Sequence, residues 1–346
     1  MKIGYLYYKF YPVDGGAAIH GYHLAKELNQ LGYELYKLNG DKDPYTHKFS
    51  NPVLGFIWML KNCNLFYVRM DYFLKPRNLL ILLVLLFRKK IVVELNSPSD
   101  ELYLYGRSMA YIAKVDKIVS YILKKVNSVI VVSEPILDYC QKQLGLGNVT
   151  VIENGADQFV YDLNEVSNEI KSDLEKIKKN YSKLLVWSGS ANKMQDFQLL
   201  NEVIENCKEE TVFLLIVKDD NGNSIPVRDA ENVYKFKDLK RVDVEYIIAN
   251  ADAGLAFYTD YSWCRWGFYN SSLKIFEYLS NGLTAISNIS GTEVLNNHPN
   301  FKIGGNLMEI GSILEELPSE KIQFQYRSWE DVAKQVSNII QQSFRS

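Results

Sequence analysis

The chain has 346 residues, 47% hydrophobic and 23% charged, with a formal net charge of −2. That length favours two cores over one, and the near-neutral net charge argues against a nucleic-acid binder, which would be strongly basic. Four scattered cysteines at 63, 140, 207 and 264, and four histidines with no HExxH, give no metal-ligand spacing.

Strand and helix patterns alternate from the first residues. Strands are expected at "KIGYLYY", "YELYKL", "NLFYVRM" (64–70), "IVVEL" (91–95), "SVIVVS" (128–133) and "VTVIEN" (149–154). The segment "AAIHGYHLAKELNQLGY" reads as a helix with Leu24, Leu28 and Leu31 on one face, and further helices are expected near 52–62, 72–88, 101–125 and 134–143. Such alternation predicts parallel sheets covered by helices on both faces. Residues 158–182 are polar and charge-rich and read as a linker with some helix. A second alternation then starts at "KLLVWSG", followed by the helix "MQDFQLLNEVIENC", the strand "TVFLLIVKD" and strands near 232–236, 253–257 and 283–287. An amphipathic helix, "SWEDVAKQVSNIIQQSF", ends the pattern, with Val332, Val336, Ile339 and Ile340 spaced to pack. The expected division is a first domain over 1–160, a linker over 161–182, a second domain over 183–327, and a helix over 328–346 that packs back on the first domain.

The most apolar run, "NLLILLVLLF" (78–87), is half the ~20 residues that a spanning helix needs. Lys75, Arg77, Arg88, Lys89 and Lys90 flank it. It reads either as a buried helix or as a membrane-facing patch that meets anionic headgroups. The N-terminus lacks a long apolar segment with a cleavage site, so a cytoplasmic protein is expected, at the inner face of the cell membrane in the second reading.

In parallel sheets of this kind, ligands bind at the carboxyl ends of the strands. Gly15 and Gly16 lie between the first strand and the first helix, where a backbone can approach an anion at a helix N-terminus. A plain tight turn is the other reading. Gly189 holds the equivalent place in the second half, and Lys193 stands within reach of a phosphate there, or is merely exposed. The stretch "SSLKIFEYLSNGLTAIS" (271–287) reads helix, turn, strand, with Ser271 or Ser272 as N-cap. Lys274 in the first turn is mildly disfavoured by the helix dipole unless a phosphate binds there. Glu277 lies one turn on along the same face and could accept from a ribose diol. A solvated Lys–Glu pair accounts for the same spacing. Asp-x-Asp at 41–43 lies in an early loop and is not expected to hold a metal.

Residues 271–287 resemble the signature of the GT-B glycosyltransferases of family 4, the large retaining group. In order, "VDGGAAIHGYHLAKELNQLGYEL", "LFYVRMDYF", "VVELNSPSDEL", "NSVIVVSEPILDYC", "NVTVIENGADQF" and "DVEYIIANADAGLAFY" are similar to further segments of that family. The resemblance covers nearly the whole chain. It implies two Rossmann-like domains whose parallel sheets face a central cleft. It implies a metal-independent transfer, with retention, of a sugar from a UDP- or GDP-linked donor to a hydroxyl, with no further cofactor. A glycan or lipid-linked acceptor in cell-surface polysaccharide or glycoconjugate synthesis would suit it. By resemblance, Glu277 binds the ribose, while Lys274 and the backbone of Ser272 and Leu273 face the diphosphate. Gly189, Ser190, Tyr269 and Ser271 join the donor side, and Gly15 and Gly16 cover it. Asn96, Ser97, Glu101 and Arg69 line the acceptor side.

The chain departs from the family pattern at three places. Tyr269 stands where the first of two glutamates is usual, Ser190 replaces an Arg after the glycine, and Gln195 stands where a Lys is usual. Lys193 or Arg265 could replace those cations. Trp263, Trp266 and Tyr269 either stack on a sugar face or pack beneath their loop. These departures keep open a non-catalytic GT-B subunit that binds a glycan or partner protein; a sugar-nucleotide epimerase on the same architecture ranks below both.

Overall fold

The computed structural model describes residues 1–7, 10, 13, 15–70, 76–218, 225–318, 320–321 and 327–345. Two compact units are present. The first comprises Met1–Asn154, Tyr261–Ser271 and Ser328–Ser346, and the second Gly155–Asp260 and Ser272–Arg327.

The first unit runs β1 (Lys2–Leu6), α1 (Gly16–Gln30), β2 (Glu34–Lys37), β3 (Thr46–Lys48), α2 (Pro52–Asn62), β4 (Leu65–Met70) and α3 (Pro76–Leu86). It continues with β5 (Lys90–Leu95), a 3-10 helix (Ser99–Tyr105), α4 (Met109–Leu123), β6 (Ser128–Val131), α5 (Glu134–Asp138) and β7 (Val149–Val151). All seven strands are parallel, in the order β3-β2-β1-β4-β5-β6-β7. Its central strands are continuous apolar runs because both faces of the sheet are covered: Phe66, Tyr67, Val92, Val93 and Val129 are all fully buried.

The second unit runs α6 (Asn168–Asn180), β8 (Lys183–Ser190), α7 (Phe197–Asn206), β9 (Thr211–Lys218), β10 (Val233–Lys237), α8 (Arg241–Asn250) and β11 (Ala253–Ala256). Then come α9 (Leu273–Ser280), β12 (Thr284–Ser287), α10 (Glu293–Asn296), β13 (Phe301–Ile303) and α11 (Leu307–Glu315). Its six parallel strands are ordered β10-β9-β8-β11-β12-β13. Leu185, Trp187, Phe213, Leu215, Leu255 and Ile286 from the strands and Leu200, Val203 and Ile204 from α7 form its core. The last helix, α12 (Trp329–Arg345), belongs to the first unit. There it packs against α1, burying Val332, Ala333, Val336 and Ile340, and Tyr33 Oη lies 2.6 Å from Ser337 Oγ.

In both sheets the strand order reverses beside the first strand, between β1 and β4 and between β8 and β11. The crevice outside the carboxyl ends at such a switch point is where open α/β sheets bind ligands.

The polar stretch 158–182 holds a real helix. Ser167 Oγ caps α6, and Ile170, Leu174 and Ile177, spaced one turn apart, are buried. Charges outnumber these three residues, which is why the composition suggests a linker. The short polar edge strand β3, the weakly patterned α8, and β13 and α11 near the C-terminus also escape a reading by periodicity. Residues 71–75, expected as helix start, lie outside the described residues, as does the Lys75 flank.

Candidate nucleotide site

The second unit's switch point is built from β8, β11 and α9. Ser272 takes the N-cap position of α9, yet its side chain caps no backbone N–H. Its hydroxyl instead accepts from Tyr258 Oη. The amides of Ile275 and Phe276 bond back to the Ser272 carbonyl, which leaves those of Leu273 and Lys274 without a backbone partner. Unpaired amides at a helix N-terminus make a ready site for an anion.

Lys274 points into this place. Its Nζ donates to Gln195 Oε1 at 2.7 Å and sits over the Trp187 ring, 4.5 Å from the centroid. No carboxylate among the described residues pairs with it. Burial pushes its ammonium down to about 7. Gly189, at the end of β8, makes room: its φ is +155°, and a Cβ there would lie 3.2 Å from Lys274 Nζ. A second glycine shapes the same floor. A Cβ at Gly254 would strike the Tyr278 ring at 2.1 Å, and Tyr278 Oη accepts from Ser188 N at 3.0 Å. Lys193 is exposed in the turn after β8, and its carbonyl accepts from Thr259 Oγ1. Ser190 ends β8 and is half-buried.

Glu277, 6% exposed, is no solvated partner of Lys274. Its Oε1 accepts from Arg241 Nη2 at 2.5 Å, and Arg241 Nε reaches Glu245 Oε1 at 2.9 Å. Burial works against the Arg241 charge, but Glu277 and Glu245 outweigh it and raise its pKa. Glu277 Oε2 has no partner among the described residues, so it is the oxygen available to a hydroxyl. Sequence reasoning missed Arg241. Its one sequence signal is the i,i+4 spacing to Glu245.

In the first unit, the carboxyl ends of β1, β4 and β5 carry a compensated cluster around Glu94, which is 1% exposed. Glu94 accepts from Tyr67 Oη at 2.5 Å, Asn96 Nδ2 at 2.8 Å and His20 Nε2 at 3.1 Å, and Arg69 Nη1 lies 3.3 Å away. Burial alone would raise its pKa; His20, Arg69 and Tyr67 reverse this and hold it well below the usual carboxylate range. His20 Nδ1 lies 2.5 Å from Asn154 Oδ1, while Asn154 Nδ2 donates to the Ser271 carbonyl at 2.6 Å. Both imidazole nitrogens thus face side-chain oxygens, which ties α1 to the ends of β5 and β7. Arg69 and Asn96 therefore belong to one cluster with His20 and Glu94, two residues not picked out by the sequence. Ser97 is half-buried just beyond Asn96, and Gly15 and Gly16 stand at the N-terminus of α1, where Gly15 provides no side-chain cap.

The 261–271 segment corrects three expectations. The Arg265 guanidinium is engaged by Asp100, at 2.8 and 2.9 Å, and by Asp116 at 3.4 Å. It is a buried-carboxylate partner in the first unit, not a free cation for phosphate. Tyr269 is 1% exposed, with its Oη 3.3 Å from Glu101 Oε2, so its ring is not presented to a sugar. Trp263 packs on Tyr261, and Trp266 stands edge-on to Tyr139. Ser271 Oγ is taken up by the Asn154 amide at 3.0 Å. Asp43, from the Asp-x-Asp pair, is held at 2.5 Å by the fully buried Lys37. No cluster of three or more His, Cys, Asp or Glu side chains among the described residues has metal-binding geometry.

No protein-family model matches the chain, and no curated protein matches it in sequence. Solved structures do resemble it over its full length. A glycosyltransferase from Rickettsia africae ESF-5 has a TM-score of 0.66 at 15% identity, covering 100% of this chain and 99% of that one. Anabaena Alr3699/HepE in complex with UDP-glucose has the same score and identity, covering 100% and 98%. The lipopolysaccharide outer core galactosyltransferase WaaB, in its apo form, scores 0.57 at 12% identity, covering 99% of each. At these identities the likeness shows the fold: two Rossmann-like units of parallel sheet, the GT-B architecture that these glycosyltransferases have.

Proposed function

We propose that the chain is a retaining, metal-independent glycosyltransferase that moves a sugar from a UDP- or GDP-linked donor to a hydroxyl acceptor in cell-surface polysaccharide or glycoconjugate synthesis. The observation that carries this reading is Lys274: a half-buried ammonium with no carboxylate partner among the described residues, beside two unpaired helix amides and a glycine-opened strand end. A desolvated cation without a counter-ion is costly, and a diphosphate supplies the missing charge. The likeness to a structure in complex with UDP-glucose supports the same chemistry.

In this reading the diphosphate oxygens accept from Lys274 Nζ and from the amides of Leu273 and Lys274. Lys193, in the exposed turn beside Ser190, adds a second cation. Glu277, oriented by Arg241, accepts from the ribose through Oε2. As the bond between the sugar C1 and the phosphate oxygen breaks, charge grows on the departing nucleotide, where the helix end and Lys274 stabilise it. The acceptor oxygen forms the new bond to C1 on the same face, and its proton leaves with the departing phosphate or to solvent. Arg69, Asn96, Ser97 and Glu101 form the acceptor side, for a glycan or lipid-linked substrate at the inner face of the cell membrane.

Calorimetric titration with UDP and GDP tests the nucleotide role. Binding by the native chain and an affinity about 100-fold lower in Lys274→Met are expected; no binding of either nucleotide defeats the proposal. Proton NMR of the product's anomeric signal tests retention. A second reading, a nucleotide-binding subunit without turnover, is favoured by Tyr269, which fills the place of the usual first glutamate and is buried. Nucleotide binding without sugar transfer to any acceptor would select it.

A further inference from the structure

The outer surface of the first unit is markedly uneven. Of the twenty large hydrophobic side chains exposed among the described residues, thirteen lie on α2, the α3 end, the 3-10 helix and α4. They include Val53 (69% exposed), Leu86 (75%), Phe87 (57%) and Tyr121 (61%). Topology places these helices together. The chain crosses from β3 to β4, from β4 to β5 and from β5 to β6, always in the same direction across the sheet. Right-handed crossovers put α2, α3 and α4 on one face. The connection from β1 to β2 runs the other way, so α1, with α12 packed against it, covers the opposite face.

Charge on the outer face is one-sided as well. Lys61, Arg88, Arg107, Lys114, Lys117, Lys124 and Lys125 are exposed there. α2, the described side chains of α3, the 3-10 helix and α4 carry three acidic residues: Asp100 and Asp116 are buried against Arg265, and Glu101 is half-buried beside Tyr269 Oη. A chain of net charge −2 thus shows, among the described residues, a clear excess of positive charge around these exposed apolar side chains. Patches of this kind mark interaction sites. Leu and Phe flanked by Lys and Arg, with tyrosines among them, fit the boundary between headgroups and acyl chains. No helix among the described residues is long and apolar enough to cross a bilayer.

We propose that the α2–α3–α4 face is a docking surface for an anionic lipid bilayer, with Leu82, Leu83, Leu86 and Phe87 entering the acyl boundary and the surrounding Lys and Arg side chains meeting lipid phosphates. The occupant follows from charge complementarity: a second copy of this chain would set like charge against like. The surface stands on the first unit alone and does not depend on sugar transfer.

Co-sedimentation of the full chain with phosphatidylcholine vesicles, with and without about 40% phosphatidylglycerol, tests it. Binding to the anionic vesicles only, weakened by salt, is expected. Leu86→Asp with Phe87→Asp, and separately Lys114→Gln with Lys117→Gln and Lys124→Gln, should each reduce partitioning about tenfold. All five positions are exposed, so both variants should keep the native melting temperature, and the two sets check each other. A native chain that stays in the supernatant with anionic vesicles overturns the proposal. So does a native dimer in sedimentation velocity that Leu86→Asp with Phe87→Asp converts to monomer without any change in vesicle binding.

Discussion

Both sheets hold charge withdrawn from solvent at their carboxyl ends, buried at Glu94 and half-buried at Lys274, but they settle it differently. In the first unit Glu94 is met by Arg69, His20, Tyr67 and Asn96, so the carboxylate is fully compensated within the protein. In the second unit Lys274 has one neutral partner, the Gln195 carboxamide, and an aromatic face. A matched cluster spends its electrostatics on folding and orientation. An unmatched ion keeps its free energy in reserve for a ligand of opposite charge, and that difference, more than burial itself, separates a structural charge from a binding one.

The strongest way to break this comparison is Glu94→Ala. It strips the Arg69 guanidinium of its buried carboxylate partner and should cost about 3–5 kcal/mol, read by urea unfolding. UDP affinity should stay unchanged. A variant of native stability with altered UDP binding would reverse the assignment of roles. Next in size is Lys274→Met. Besides losing about 100-fold in UDP affinity, the ligand-free variant should be more stable than the native chain by on the order of 1 kcal/mol, because a desolvated charge is gone. Loss of both affinity and stability would show that Lys274 is already compensated without ligand.

The sequence made the fold readable because helix and strand periods alternate cleanly and the loops between them keep their glycines. Lys274 and Glu277 were readable because they lie one turn apart behind a serine pair. Their partners were not. Arg241 lies 36 positions before Glu277 and Gln195 lies 79 before Lys274, and only the sheet brings them together. Gln195 did stand out, as a carboxamide where a cation is usual, but nothing in one dimension says that it would hold the remaining lysine. The aromatic loop misled for a related reason. Trp263, Trp266 and Tyr269 suit a sugar face and a packed loop equally well, and what decides is Asp100, whose grip on Arg265 draws the segment into the first unit.

A smaller effect sharpens the second unit's side. Glu277→Gln keeps the shape but removes the charge that Arg241 faces. It should weaken UDP binding about tenfold, as a hydrogen bond to a charged acceptor is worth about 1.5–3 kcal/mol. Uridine without phosphates should show the same loss, since the contact is to ribose. If uridine binding is unaffected while UDP binding falls, Glu277 acts through the phosphate end and the ribose role fails.

The finest test is pH. Lys274 titrates at about 7 in the folded chain against 10.5 for an unburied lysine, with burial as the cause. Between those values the unfolded chain holds the extra proton, so ligand-free stability should rise with pH from about 7 to about 10.5. Nucleotide affinity should run the opposite way. Diphosphate selects the ammonium form, so each pH unit above 7 should cost up to about tenfold in UDP affinity, with a proton taken up on binding. Burial raises the phenols of the neighbouring Tyr258 and Tyr278, so neither ionises in the window. Below about 6 the terminal phosphate begins to lose charge, and affinity should fall again. Calorimetry at pH 8 in two buffers of different ionisation enthalpy reads the proton directly. Native protein should take up close to one proton and Lys274→Met none. Equal uptake by both would place the titrating group elsewhere and remove the distinction between the matched and the unmatched charge.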